Sequence, residues 1–186
     1  MLLSILACSP RVELPPGIQV KEAPVQQEIN EGELIEIDGA VLAARASYRI
    51  RGKLLSKRRY RFDQLARIAP WDFAIGWGPM SDEAVIAGIA VTQGDRFLFW
   101  KRFATGLPLR DIERHSANLH LIPADTAVAD QLESIRDGSL LELTGTLVDV
   151  KLTDGLLIPT SLTRDDRGAG ACEILLVREF TPLPGA

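Results

Sequence analysis

The chain has 186 residues, of which 46% are hydrophobic and 25% are charged, and its formal net charge is −4. This composition is typical of a globular domain and excludes a disordered or collagen-like chain. No apolar run approaches the roughly 18–20 residues of a membrane-spanning helix, and two cysteines are too few for a disulfide-dense scaffold. We therefore expect one β-rich domain, preceded by a tether.

The N-terminus is an apolar stretch, Met1 to Cys8, that ends in a small residue followed by the cysteine. This order resembles the lipobox of bacterial lipoproteins, but it lacks a positively charged start and is short. We expect Cys8 to be lipidated in the bacterial cell envelope, and a cytoplasmic chain with an incidental cysteine is the alternative. The prolines that follow favour an extended, solvated spacer. The predicted organisation is therefore a tether over residues 1–33 and a globular domain over residues 34–180.

The first structured segments are a short strand from Leu34 and a longer one within residues 46–60. In the longer strand, apolar and basic positions alternate, with Tyr48, Ile50 and Gly52 between Arg49, Arg51 and Lys53. Period-two alternation indicates a strand with one face in water. Apolar residues at helical spacing from Phe62 to Ala69 predict a two-turn helix that ends at Pro70.

The remaining segments alternate between strands and capped helices. They are a helix capped near Asp82, a hairpin over 89–93 and 96–100 with a Gly94-Asp95 turn of type II′, a strand over 117–122, a helix capped by Asp125, a hairpin over 140–150 and 156–160, and a strand over 172–178. We count six or seven strands and three or four short helices, without a βαβ rhythm. Gly52 and Gly145 fit bends at the corners of a small barrel. The sequence predicts an α+β fold built on a mostly antiparallel small β-barrel or bent sheet, with an OB-like architecture (oligonucleotide/oligosaccharide-binding) preferred.

Nine cationic residues lie between Arg45 and Arg67. Among them, Arg49, Arg51 and Lys53 share the wet face of the predicted strand and are candidates for binding an anion. A single-stranded nucleic acid or an anionic lipid surface would suit them, and a solvated face is the alternative. The pI near 5.3 argues against a dedicated nucleic-acid partner.

Two further segments concentrate aromatic and polar side chains. Trp71 and Trp77 offer stacking area and an N–H donor, and His115, Asn118 and His120 follow in a second segment. We expect these five residues to form a recognition surface for a protein or small-molecule partner, with burial of the tryptophans as the alternative. The histidines stand five apart without a Cys-x-x-Cys or His-Glu-x-x-His motif, so we expect neither a metal nor a cofactor.

The sequence also contains the residue types of a cysteine-dependent hydrolase. Cys172 would be its nucleophile, His115 or His120 its base, and Asn118 or an aspartate would orient the base. However, Cys172 begins an apolar strand, where a cysteine is usually a small buried hydrophobe. We therefore expect a non-enzymatic binding or structural domain, with the hydrolase and the basic-strand binder as alternatives.

Three longer segments carry a family resemblance: GWGPMSD at 76–82, HSANLHLIPA at 115–124 and SLTRDDRGAGACE at 161–173. They resemble an uncharacterised family of small bacterial envelope-associated proteins, over roughly residues 40–177. The resemblance implies an envelope protein and brings no reaction, cofactor or catalytic residue with it.

Overall fold

A computed structural model describes residues 11–30, 32–163 and 172–185 of the chain. The strands in these ranges are β1 (Val25–Glu28), β2 (Leu34–Ile37), β3 (Ala40–Arg59), β4 (Trp71–Gly76), β5 (Ile89–Gly94), β6 (Phe97–Arg102), β7 (Ser116–Pro123), β8 (Leu140–Lys151), β9 (Leu157–Ile158) and β10 (Glu173–Pro182). The helical segments are a 3-10 turn (Gly78–Ser81), α1 (Glu83–Ile86), α2 (Leu109–Arg114) and α3 (Thr126–Ser134). The predicted α+β class is confirmed. None of the described helices is long and apolar enough to span a bilayer.

Five strands pair in a ring. β3 pairs with β4, β4 with β7, β7 with β10, β10 with β8, and β8 again with β3. Only the β7–β10 pair among these is parallel. β3 closes the ring because its 20 residues pair with β8 along their first part and with β4 along their last part. The bent, mostly antiparallel sheet that the sequence predicts is therefore confirmed.

The main hydrophobic core fills the inside of the ring. Alternate side chains of all five strands meet there, including Ile50, Phe73, Leu119, Leu143 and Leu175. Because successive side chains of a strand point to opposite faces, the positions between them form an outer face. Two smaller clusters cover parts of that outer face, one beneath residues 65–69 and one beneath α1 and the β5–β6 hairpin.

Gly145 lies where two ring strands approach closely. A Cβ atom at this position would meet the carbonyl oxygen of Leu176 on β10. The register between β8 and β10 also shifts close by, between Val177 and Glu179. The sequence suggested a bend at this glycine, whereas the structure shows a close approach, because a side chain here would force the strands apart.

Residues 62–69 form turns, so the predicted two-turn helix is wrong. Phe62, expected on the apolar face, is 98% exposed. The carboxylate of Asp63 accepts the backbone N–H of Leu65 at 3.0 Å, and the carbonyl of Ala69 accepts a hydrogen bond from Arg96. The backbone N–H groups of Ile68 and Ala69 both donate to the carbonyl of Leu65, which closes a single turn.

The β5–β6 hairpin is confirmed, but its turn lies one residue later than predicted. Asp95 and Arg96 have φ values of 49° and 68°, and Gly94 belongs to β5. Two successive positive φ values define a type I′ turn, so the type II′ turn expected at Gly94 is wrong. The shift places Arg96 at the tip of the hairpin.

Residues 11–30, expected to be a solvated spacer, lie against the domain. β1 pairs with β3, and Val20 is only 5% exposed. The hydroxyl of Ser81 accepts the backbone N–H groups of Gln19 and Val20, each at 3.1 Å. The spacer prediction is wrong here because side chains of the GWGPMSD segment hold this backbone in place. Cys8 lies outside the described residues.

Candidate functional site

Asp72, His120 and Cys172 lie in one row on the outer face of three neighbouring strands. The strand register places Asp72 of β4 opposite His120 of β7, and His120 opposite Ile174 of β10. Cys172 precedes Ile174 by two residues and therefore points to the same side. The intervening residues of these strands, such as Phe73, point into the core.

Asp72 holds the imidazole of His120 in one orientation. Its Oδ1 lies 2.8 Å from Nδ1 of His120, and the two side chains belong to residues that are 0% and 7% exposed. Cys172 acts on the same imidazole, since hydrogen bonding to its sulfur and the negative charge of its thiolate raise the pKa of His120. The order carboxylate, imidazole, sulfur is that of an orienting acid, a base and a nucleophile.

These neighbours decide the charge of His120. Burial lowers the pKa of His120, but the hydrogen bonds and negative charges of Asp72 and Cys172 outweigh burial and raise this pKa to about 9. His120 is therefore protonated at neutral pH. A cationic imidazole beside a cysteine sulfur is the arrangement by which cysteine enzymes generate a reactive thiolate.

Cys172 is a free thiol that remains half-buried. Its Sγ lies 3.7 Å from the carbonyl oxygen of Arg96 and 3.9 Å from Nδ2 of Asn118. Asn118 is 6% exposed, and its Oδ1 accepts a hydrogen bond of 2.7 Å from Gln93 on β5. The hairpin therefore forms one wall around the sulfur.

Arg96 links the hairpin tip to the acidic end of the row. Its guanidinium donates to Oδ1 of Asp72 at 2.5 Å, to both oxygens of Asp63 at 2.8 and 3.0 Å, and to the carbonyl of Ala69 at 3.0 Å. It also lies over the ring of Tyr60, 4.0 Å from the centroid. In the described part of the chain, Oδ2 of Asp72 is buried without a hydrogen-bond partner.

The structure brings together only part of the predicted recognition surface. His120 and Asn118 face Cys172, whereas Trp71 and Trp77 are 7% and 2% exposed within the core. His115 caps the end of α2, with its Nδ1 2.7 Å from the carbonyl oxygen of Asp111. The tryptophans therefore have the structural role that was the alternative, and His115 lies apart from the row.

The predicted anion-binding residues lie along β3, away from this row. Arg51 is exposed and forms an ion pair with Glu142, and Lys53 is 0% exposed and pairs with Glu83. Arg49 remains on the exposed face of the strand. Lys53 is therefore buried, not exposed as predicted, and it does not lie on the surface where an anionic partner would bind.

Sequence reasoning missed Asp72, Arg96 and Gln93. A signal for Asp72 exists, since a carboxylate between Trp71 and Phe73 interrupts a strand that is otherwise apolar. Arg96 and Gln93 carry no such signal, because their roles depend on how the hairpin folds over the sheet.

Within residues 11–30, 32–163 and 172–185, no group of three His, Cys, Asp or Glu side chains is placed to hold a metal ion. No family model, no curated protein and no solved structure matches the chain.

Proposed function

We propose that this protein is a thiol-dependent acyl-transfer enzyme, in its simplest form a hydrolase. Cys172 is the nucleophile, His120 the acid and base, and Asp72 the residue that orients His120. The observation that carries the proposal is the Asp72–His120–Cys172 row on the outer face of β4, β7 and β10. The same three roles recur in cysteine-dependent hydrolases of unrelated folds.

The reaction proceeds in two balanced steps. In the first, the Cys172 thiolate attacks an acyl carbonyl carbon and forms a C–S bond, and the bond from that carbon to the leaving oxygen, nitrogen or sulfur breaks as the His120 imidazolium gives its proton to the leaving atom. In the second, neutral His120 removes a proton from water, the resulting hydroxide attacks the thioester, and the C–S bond breaks. The thiolate and imidazolium are then restored, and the carboxylic acid leaves.

Exposure along the row supports this assignment. Asp72 is fully buried and Cys172 is only half-buried, so the orienting group is the more shielded end of the row. The buried end is also the end that Arg96 neutralises. A nucleophile needs access, and an orienting carboxylate needs a fixed position, which is the distribution seen along this row.

Alkylation of Cys172 by iodoacetamide as a function of pH tests the proposal. An ordinary thiol with a pKa of about 8.5 loses about 50-fold in alkylation rate between pH 8.5 and 6.5 because its thiolate fraction falls by that factor. We expect the alkylation rate of Cys172 to fall less steeply than this, since an imidazolium beside the sulfur would favour its thiolate. His120→Gln should restore the steep profile. A steep profile in the native protein would contradict the proposal.

We also propose that the ring of strands is an OB-like barrel. Supporting this are the order β3–β4–β7–β10–β8, the long first strand shared by two neighbours, the one parallel pair, and α3 between β7 and β8. OB-folds bind ligands on the face of their second and third strands. Here these would be β4 and β7, which carry Asp72 and His120. A crystal structure with β8 and β3 separated would contradict this architecture.

Attachment to the bacterial envelope, where the protein would meet its protein or small-molecule partner, is a separate proposal. It rests on the order of residues 1–8 and on the three segments that resemble an envelope family. Mass spectrometry of the protein from its native host tests it. We expect a lipid-modified Cys8 as the first residue, and an unmodified Cys8 within an uncleaved chain would contradict the proposal.

A further inference from the structure

The amide group of Asn118 is held in one orientation. Its Oδ1 accepts from Nε2 of Gln93 at 2.7 Å, and its Nδ2 donates to the carbonyl oxygen of Arg96 at 2.9 Å. Gln93 is in turn held by the hydroxyl of Ser56, which donates to its Oε1 at 2.9 Å. If the Asn118 amide were flipped, its NH2 group would face the NH2 group of Gln93, and its oxygen would face the carbonyl oxygen of Arg96. Both contacts would be repulsive, so the flip is disfavoured.

The second N–H of Asn118 is directed towards the sulfur of Cys172, where a substrate would react. Nδ2 lies 3.9 Å from Sγ of Cys172, which is a weak contact with the sulfur itself. The carbonyl oxygen of a substrate lies one bond beyond the carbon that the sulfur attacks. Nδ2 of Asn118 can therefore lie about 3 Å from that carbonyl oxygen, which is the distance at which oxyanion-hole donors act.

The surroundings of Asn118 favour this role. The residue is neutral and 6% exposed, and its position is fixed by two hydrogen bonds before any substrate arrives. A donor that is already oriented in a site shielded from water stabilises a developing negative charge without the cost of reorganisation.

We infer that Asn118 is a catalytic residue that donates from Nδ2 to the oxyanion formed when Cys172 attacks an acyl carbonyl, and that Gln93 is the residue that positions it. The inference rests on the proposed function. It narrows the substrates to compounds with a planar acyl carbonyl, such as esters, thioesters and amides, because alkyl transfer to sulfur creates no oxyanion.

Two probes of Cys172 separate this role from general thiol reactivity. Acetylation by p-nitrophenyl acetate passes through an oxyanion, whereas alkylation by iodoacetamide does not. Both products are followed on the intact protein by mass spectrometry, with Cys172→Ala defining the background. We expect Asn118→Ala to lower the ratio of acetylation rate to alkylation rate by about 10- to 100-fold, somewhat less than the full loss of a well-aligned donor.

Two further variants complete the design. Gln93→Leu retains Asn118 but frees its amide, and should lower the same ratio by a smaller factor, which also provides the test if Asn118→Ala does not fold. Ser116→Ala removes a buried hydroxyl from the same face of β7, where that hydroxyl donates to the carbonyl of Ile112. It should leave the ratio unchanged.

The outcomes distinguish the two proposals. An activated Cys172 with an unchanged ratio in both Asn118→Ala and Gln93→Leu would overturn the role of Asn118 and leave the proposed function standing. A Cys172 in the native protein that alkylates like an ordinary thiol would overturn the proposed function, and the oxyanion role would fall with it.

Discussion

Two polar regions of the domain use similar side chains in different ways. In the 76–82 segment, Ser81 and Asp82 accept backbone N–H groups of residues 17–20. In the Asp72–His120–Cys172 row, the side chains bind mainly one another. Side chain-to-side chain hydrogen bonds are only about 10–15% of those in a typical protein, so a buried group of them next to a half-buried sulfur is unusual. The first region stabilises the fold, and the second has the features of a reactive site.

The largest effect should come from Asp72→Asn. This substitution removes a carboxylate that both Arg96 and His120 contact, and leaves a buried imidazolium and a partly buried guanidinium facing an amide. Loss of one partner from a buried ionic network costs about 3–5 kcal/mol in the free energy of unfolding, measured by urea denaturation. Alkylation of Cys172 should also become as pH-dependent as that of an ordinary thiol.

Asp63→Asn is the matched control for Asp72→Asn. Asp63 binds the same guanidinium of Arg96 from a more exposed position, so its loss should cost less than about 1 kcal/mol and leave Cys172 unaffected. Equal losses in the two variants would contradict the distinction between a buried row and its exposed edge.

The pH dependence of stability should follow His120. Its pKa rises from 6.5 in the unfolded chain to about 9 in the native protein, so its stabilisation is complete below pH 6.5 and is lost as the pH rises through about 9. The clearest measurement uses Cys172→Ser, which removes the thiol from the titration. In that background the free energy of unfolding should still fall as the pH rises from 6.5 to 9.5, but by less than the full shift implies, because Asp72 alone then raises the pKa of His120. Adding His120→Gln should flatten this dependence, and an unchanged slope would contradict the assignment.

Ser81→Ala should affect stability without affecting reactivity. The variant leaves the buried N–H of Val20 without its acceptor and loses the hydrogen bond of 2.7 Å to the carbonyl of Gly78. Such losses cost about 2 kcal/mol in the free energy of unfolding. The pH profile of Cys172 alkylation should not change, and residues 11–30 should become more sensitive to proteolysis. A changed profile would mean that the two regions are coupled.

Local patterns in the sequence predict much of the fold. Alternation identifies β3, and the capping residues Asp82 and Asp125 mark the starts of α1 and α3, as observed. Short-range signals do not specify which strands become neighbours. The parallel pairing of β7 with β10 joins segments more than 50 residues apart, and it is what brings Cys172 beside His120.

The same limit explains which site residues the sequence identifies. Cys172, His120 and Asn118 stand out by residue type alone. Asp72 and Arg96 join them only through the β4–β7 register and the type I′ turn, because a turn shifted by one residue would place a different side chain at the hairpin tip. Whether His115 or His120 is the base depends on where β7 begins. It begins at Ser116, so His115 remains at the end of α2.

The smallest effect should come from His115→Gln, which together with His120→Gln makes a matched pair. His115 contacts a backbone carbonyl and lies 6.4 Å from the ring of Trp77, so its replacement should cost about 1 kcal/mol in the free energy of unfolding. The alkylation profile of Cys172 should remain that of the native protein, whereas His120→Gln should make it steep. Both variants remove an imidazole from the same short segment, but only His120 lies in the row with Cys172. A response to His120→Gln alone supports His120 as the imidazole partner of Cys172, and a response to both would show that the sulfur is sensitive to packing rather than to that partner.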